Sequence, residues 1–245
     1  MVEIKIQHPA KWPKKAPELT VQQAAISDDF MKYWHEVLSS RYGLVEKFSH
    51  RYVVRGASQG FTRTLEIGAG SGEHLKYEKL SPEQRRGYVA VDMRENMIAE
   101  FHRRFPDIHA VVGDCQKRMD FQDGSFDRLV AIHVLEHLPD LPAAVREMYR
   151  LCNKDHGVLS IVIPCEGGLA YSLARQISAQ RIFEARYKQS YRWFIEREHL
   201  NRSHEIFEEL VPLFSLVSST YFPIALKAEF CNLCIGATLK PKPTT

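Results

Sequence analysis

Hydrophobic positions along the chain switch repeatedly between two spacings, and the switches lay out an alternation of strands and helices. Residues 62–67 (TRTLEI) are a short β-type run that meets a glycine-rich turn, GAGSGE, after which residues 74–80 carry helical spacing. Tyr88–Val91 is a second strand, followed by a helix whose Met97, Ile98, Phe101 and Phe105 share one face. Ile108–Val112 is a third strand. The run 126–132 (FDRLVAI) is nearly all apolar and suits a strand buried on both faces. Leu141, Ala144, Val145 and Met148 give the next helix its stripe, with Pro142 in the first turn. Gly157–Ile163, closed by Pro164, makes a fifth strand. Five strands alternating with helices predict a doubly wound parallel sheet with right-handed crossovers.

The flanks read differently. Residues 1–20 hold prolines and lysines without periodicity and predict an irregular arm, and residues 30–54 offer two amphipathic cap helices separated near Gly43. Residues 165–200 interrupt the alternation with one long helical stretch, 169–194, rich in Arg and aromatics, which predicts an inserted lid. Ser203 caps a short helix carrying Ile206, Phe207 and Leu210, and β-runs follow at 213–220 and 230–239. The short link between those runs has no helix, so the last strand is expected to be antiparallel to its neighbour. The predicted whole is one domain of 245 residues: arm and caps to residue 60, a core at 61–164, the lid at 165–200 and a closing unit at 201–245. Its fold class is α/β, a Rossmann-like seven-stranded sheet, mostly parallel, with helices on both faces.

Composition narrows the function classes. A net charge of +3 with dispersed basic residues gives no electrostatic ground for nucleic acid, and none is expected. No apolar run reaches the length of a membrane span, and the first residues lack a signal or transit pattern, so a cytoplasmic location is expected. Five scattered cysteines make no disulfide framework.

The chemistry-bearing residues sit at strand ends. In LEIGAGSG the glycines allow positive φ and let the backbone approach a ligand closely. Asp92 ends the second strand, where a carboxylate accepts from both ribose hydroxyls of a nucleoside, and Asp114 ends the third, within reach of an adenine amine. The spacing G-x-G-x-G (Gly68, Gly70, Gly72) differs from the dinucleotide pattern G-x-G-x-x-G. Glu66 puts negative charge before the loop, which suits a cationic cofactor better than a pyrophosphate.

With LEIGAGSGEH, VAVDMRENM, VVGDCQKRMDF and FDRLVAIHVLEHLPD in that order, residues 65–140 resemble the class I S-adenosylmethionine-dependent methyltransferases, within them the type 11 small-molecule group. The resemblance implies S-adenosylmethionine as cofactor, with Glu66, Gly68, Ala69, Gly70, Asp92, Met93, Asp114, Cys115 and His133 near it. It also implies in-line methyl displacement onto a small-molecule acceptor, whether saccharide, lipid precursor or aromatic metabolite. His133, His137 and His199 are the general-base candidates. An oxidoreductase using NAD and a non-catalytic binding module of the same fold are the rival readings.

Two further signals carry no metal expectation. HVLEH (His133 to His137) matches a zinc-peptidase string but follows a buried strand and meets Pro139, against the sustained helix such a site needs. Cys231 and Cys234 resemble half a zinc ribbon, but there is no second pair, and Cys231, Leu233, Ile235, Ala237 and Leu239 read as one apolar strand face. The lid arginines are expected either to grip an anionic acceptor or to form a solvated face opposite a packed one.

Overall fold

A computed structural model describes residues 11–34 and 43–243. The first ten residues of the arm and the break between the two cap segments lie outside the described residues.

Seven strands form one sheet in the order β3-β2-β1-β4-β5-β7-β6. They are β1 (Thr64–Ile67), β2 (Tyr88–Asp92), β3 (His109–Val112), β4 (Arg128–Ile132), β5 (Val158–Pro164), β6 (Phe214–Phe222) and β7 (Cys234–Pro241). The pairs among β1 to β5 are parallel, and β7 lies between β5 and β6, antiparallel to both. The strand order reverses direction between β1 and β4, and ligands of open α/β sheets bind at such a crevice, beyond the carboxyl ends of the strands.

Each sheet face has its own partners. Leu65, Ile67, Val91, Leu129, Ala131, Ile161, Ile235 and Ala237 face α5 (Leu141–Leu151) and α9 (Ser203–Leu210) in the main apolar core. The α5 stripe is the predicted one, and the Asp140 side chain caps the helix by accepting from the Ala143 amide at 3.1 Å. The opposite face packs α2 (Gly43–Arg55) over β4, β5 and β7, and α4 (Glu95–Arg104) over β2 and β3. Ile98 and Phe101 bury α4 there, as their spacing predicts.

Under α2, Val53, Val130, Val162 and Cys234 form an apolar patch, but beside it lies a buried polar network that the apolar reading of FDRLVAI did not foresee. Arg128 is fully buried. Its guanidinium pairs with Glu78 at 2.5 Å, stacks on Phe61 and donates to the Val53 carbonyl of α2. A buried charge needs such a partner to be tolerated at all. His74 joins through Glu78 (2.8 Å) and through His50 of α2 (3.2 Å).

Three expectations are corrected. Residues 74–80 are not a helix: a single 3-10 turn, His74–Lys76, turns His74 and Glu78 inward to Arg128, and helix α3 (Pro82–Arg86) starts only at the Ser81 capping box. The single lid helix is two pieces. Helix α6 (Leu169–Arg175) continues through a π-helical turn, Gln176–Gln180, into α7 (Arg181–Tyr187), which stops at Lys188 in the left-handed conformation (φ 55°). The Glu184 carboxylate then accepts the Tyr191 amide, and α8 (Arg192–Glu198) begins in a new direction. Finally, the link between β6 and β7 is not short. Asn232 ties it into a loop by accepting from the Ile224 amide and donating to the Leu226 and Ala228 carbonyls, so Cys231 sits in a 3-10 turn outside the strand.

The aromatics of the lid pack on α1 (Val21–Tyr33): Phe30, Phe183, Tyr191 and Phe194 form a second small core. Arg186 and Tyr187 both bond the Asp29 carboxylate of α1.

Candidate active site

At the tip of β1 the chain turns through Gly68, Gly70 and Gly72, with φ of 70°, 54° and 88°. The amides of Gly68 and Ala69 donate to the Val91 carbonyl at 2.8 and 3.0 Å, fastening the turn to β2. A Cβ on Gly68 would lie 2.3 Å from Val134 Cγ2, so the turn is pressed against the residue after His133, whereas a Cβ on Gly70 would meet nothing within 4 Å. The loop is therefore clamped at one glycine and open at the next.

Asp92, buried at the tip of β2, faces that opening. Its Oδ2 accepts the Gly70 amide at 2.9 Å and its Oδ1 accepts the Arg94 amide at 3.0 Å. The Arg94 guanidinium bonds both oxygens, at 3.0 and 3.2 Å. Met93 beside it is exposed. The Gly113 amide donates to the Asp92 carbonyl at 3.0 Å and carries the β3 tip alongside. There Asp114 accepts from the Gln116 amide and side chain, and with Lys117 nearby these bonds outweigh partial burial and hold its carboxyl below the usual range. Gln116 also accepts the Asp140 amide at 2.7 Å, locking this tip to the start of α5. Burial pushes the Cys115 thiol up to about 12, which leaves its backbone as the part available for binding.

Glu66 is placed differently from the expectation. Its carboxylate accepts from the Tyr88 hydroxyl at 2.7 Å inside the buried network, and burial raises its pKa. Its charge is not free at the loop mouth, and the carboxylates at the neighbouring strand tips are the buried Asp92 and the partly exposed Asp114.

The three histidines gather around Glu136: His133 and His137 follow β4, and His199 follows α8. His133 adopts φ 52° at the end of β4, its amide donating to the Val162 carbonyl. Its Nε2 lies 3.0 Å from Ser49 Oγ of α2, and its Nδ1 lies 3.4 Å from Glu136. Glu136 is buried; despite that burial, His133 and His137 hold its carboxyl below the ordinary range. His137 donates from Nδ1 to the Glu198 carbonyl at 2.6 Å, and its ring stands 5.1 Å from that of His199. Burial lowers the His137 pKa. His199 Nδ1 lies 2.7 Å from Glu166 Oε2, and Arg175 holds the other Glu166 oxygen at 2.6 Å. The 3-10 turn Leu135–His137 and the end of α8 are stapled together: the Leu200 and Asn201 amides donate to the Glu136 carbonyl, and the Asn201 side chain donates to Leu135 and Leu138.

Sequence reasoning missed Ser49, Arg94 and Glu166, while Arg175 is one of the lid arginines expected either to grip an anionic acceptor or to form a solvated face. Glu166 had a signal, since it follows the β5 tip as Asp92 and Asp114 end theirs; Ser49 had none beyond its place on an amphipathic helix. Among the described residues no group of acids, histidines and cysteines has the geometry of a metal site.

Residues 65–161 match the family described as "Methyltransferase domain". No curated protein matches the chain in sequence. Solved structures do match in fold. A TehB-like SAM-dependent methyltransferase from Corynebacterium glutamicum is 18% identical, with 89% of this chain and 100% of that chain covered and a TM-score of 0.58. The N-methyltransferase NodS from Bradyrhizobium japonicum, solved with S-adenosyl-L-homocysteine, is 14% identical over 89% and 99%, with a TM-score of 0.58. A possible histamine N-methyltransferase from Thermotoga maritima is 20% identical over 87% and 98%, with a TM-score of 0.56. The glycine turn, the Asp92 carboxylate and strands β2 to β4 all lie within the matched residues, and the solved structures share the fold of the chain, so residues 65–161 are a match to the methyltransferase-domain family.

Proposed function

We propose that this chain transfers a methyl group from S-adenosylmethionine to a small-molecule acceptor in the cytoplasm, with residues 165–200 as a lid over the acceptor. The observation that carries the cofactor position is the Asp92 carboxylate, oriented by the Gly70 and Arg94 amides beside the open face of the glycine turn. Asp92 would accept from the ribose hydroxyls, Met93 would flank the adenine and Asp114 would accept its amine. The Gly68, Ala69 and Gly70 backbone, Cys115 and His133 would line the rest, while Glu66 supports the turn from below through Tyr88. Bound there, the cofactor supplies an electrophilic methyl on a cationic sulfonium.

The protein's own work is positioning and proton management. Holding two reactants in line contributes about 7–11 kcal/mol to such a reaction, and a general base adds about 10²–10⁴-fold where the acceptor carries a proton. His133, His137 and His199 are the bases we propose. His199 has the arrangement that suits the role best, since an acidic side chain holds one ring nitrogen and leaves the other for the acceptor. All five cysteines are free thiols, in keeping with a reducing compartment. No helix is long and apolar enough to cross a membrane among the described residues.

Calorimetric titration with S-adenosylmethionine and S-adenosylhomocysteine, with NADH as control, tests the reading. Binding of the adenosyl pair that is lost in Asp92→Ala is expected; binding of NADH alone would overturn it.

A further inference from the structure

Beyond His199 the molecule opens into a cleft of ≈ 970 Å³ whose walls come from the arm, α6, α8 and α9. Six Lys and Arg side chains line it against three Glu, an excess of positive charge gathered in one hollow of a chain whose basic residues are otherwise dispersed. The cations approach from different elements: Lys11, Lys14 and Lys15 from the arm, Arg175 from α6, Arg192 from α8 and Arg202 from the turn before α9. Some of them are committed. Lys11 pairs with Glu205 and Glu208, Lys14 bonds Glu205 and the Leu200 carbonyl, Arg175 pairs with Glu166, and Arg192 bonds Glu196. Lys15 and Arg202 form no ion pair among the described residues, and the buried Nε of Arg175 has no hydrogen-bond partner there.

We propose that this cleft binds a phosphate or diphosphate group on the methyl acceptor, and so that the acceptor is a phosphorylated metabolite. The proposal rests on the methyl-transfer reading above. A group with several acceptor oxygens and more than one negative charge suits cations arriving from several directions, whereas a single carboxylate would satisfy one arginine fork. The position is also functional. His199 and Glu166 both line the cleft, and the His199 ring stands 5.1 Å from His137, so an anion held here places the rest of its molecule beside the proposed bases. The Glu166 carboxylate, with Arg175 on one oxygen and His199 on the other, separates the anion from the reacting end.

Calorimetry with inorganic pyrophosphate as the probe tests this, at constant ionic strength and with acetate as the single-carboxylate comparison. The full chain should bind pyrophosphate in preference to acetate, equally well with and without saturating S-adenosylhomocysteine. The double variant Lys15→Glu/Arg202→Glu should weaken pyrophosphate at least about tenfold and leave S-adenosylhomocysteine affinity unchanged, which also shows that the variant is folded. Failure of the wild-type chain to bind pyrophosphate at millimolar concentration, equal binding by the double variant, or competition with S-adenosylhomocysteine would overturn the proposal and leave the cofactor reading standing. Intact pyrophosphate binding without any S-adenosylhomocysteine binding would instead overturn methyl transfer, and the acceptor role of the cleft with it.

Discussion

The Arg94 guanidinium lies across the Asp92 carboxylate and, together with the Gly70 and Arg94 amides, supplies it with four hydrogen bonds. A carboxylate offers about four acceptor sites, so this one is full. The two amides are fixed by the backbone, whereas the two guanidinium bonds belong to a side chain that is 44% exposed. Ribose hydroxyls are two in number, and they would take the places that the guanidinium gives up. Removing the competitor should therefore help: Arg94→Ala is expected to tighten S-adenosylhomocysteine binding by about two- to fivefold, the worth of an exposed ion pair. Calorimetry checks it, and weaker binding in the variant would show that Arg94 grips the nucleoside itself.

The two glycines at the tip of β1 should fail in different ways. Gly70→Ala adds a methyl group into open space over the turn, at a backbone angle that costs about 1–2 kcal/mol. It should leave a folded protein whose cofactor affinity falls roughly tenfold or more, because the ligand must stand off from the backbone. Gly68→Ala adds the same strain and drives a Cβ into Val134, so it should lose about 2–4 kcal/mol of stability. Melting curves beside titrations separate the two; similar losses of stability in both would refute the distinction.

Acid should destabilise the protein through His50. Burial, reinforced by the charges of His74 and His133, lowers this histidine from 6.5 to about 3. The unfolded chain takes up a proton below 6.5 that the folded chain refuses, so stability is full above that pH and drains away as pH falls toward 3. This one group accounts for about 2 kcal/mol between pH 7 and pH 5. Denaturant unfolding at the two pH values should show a smaller loss in His50→Gln than in the wild-type chain, and an equal loss would assign the acid sensitivity elsewhere.

The ring protons of two histidines are set by their neighbours. A carbonyl only accepts, so His137 must carry its proton on Nδ1, and the Glu166 carboxylate imposes the same form on His199. Nitrogen-15 NMR at mildly alkaline pH should find both rings protonated at Nδ1 and bare at Nε2. Glu166→Gln should mix the two forms at His199 while leaving His137 as it was. A bare Nδ1 at His199 in the wild-type protein would remove the argument for it as a base.

Much of this arrangement could be read from residue order. Leu65, Val91, Leu129 and Ile161 lie on strands buried on both faces, where apolar runs leave little choice, and Asp92 and Asp114 end their strands as polar residues must when a chain leaves a core. What escaped depended on partners distant in sequence. Arg128 reads as a blemish in an apolar strand until Glu78, fifty positions earlier, is seen against it. That same pair explains why residues 74–80 do not complete the helix their spacing suggests. The lid helix carries good helical residues on both sides of Lys188, and what stops it is the Glu184 side chain closing on the Tyr191 amide, a choice that local propensity does not register.

The aromatic cluster of Phe30, Phe183, Tyr191 and Phe194 includes no side chain from the sheet. Its helices share a private interior, so they are a block with its own cohesion, hung beside the strand tips. Moving such a block would break its ties to the body, among them the Leu200 and Asn201 bonds to Glu136 and the His199 and Arg175 bonds to Glu166, but would expose none of its own interior. Admission to the site would then be a matter of hinging, and the free-energy cost of opening would scale with the seam instead of with the number of residues that move.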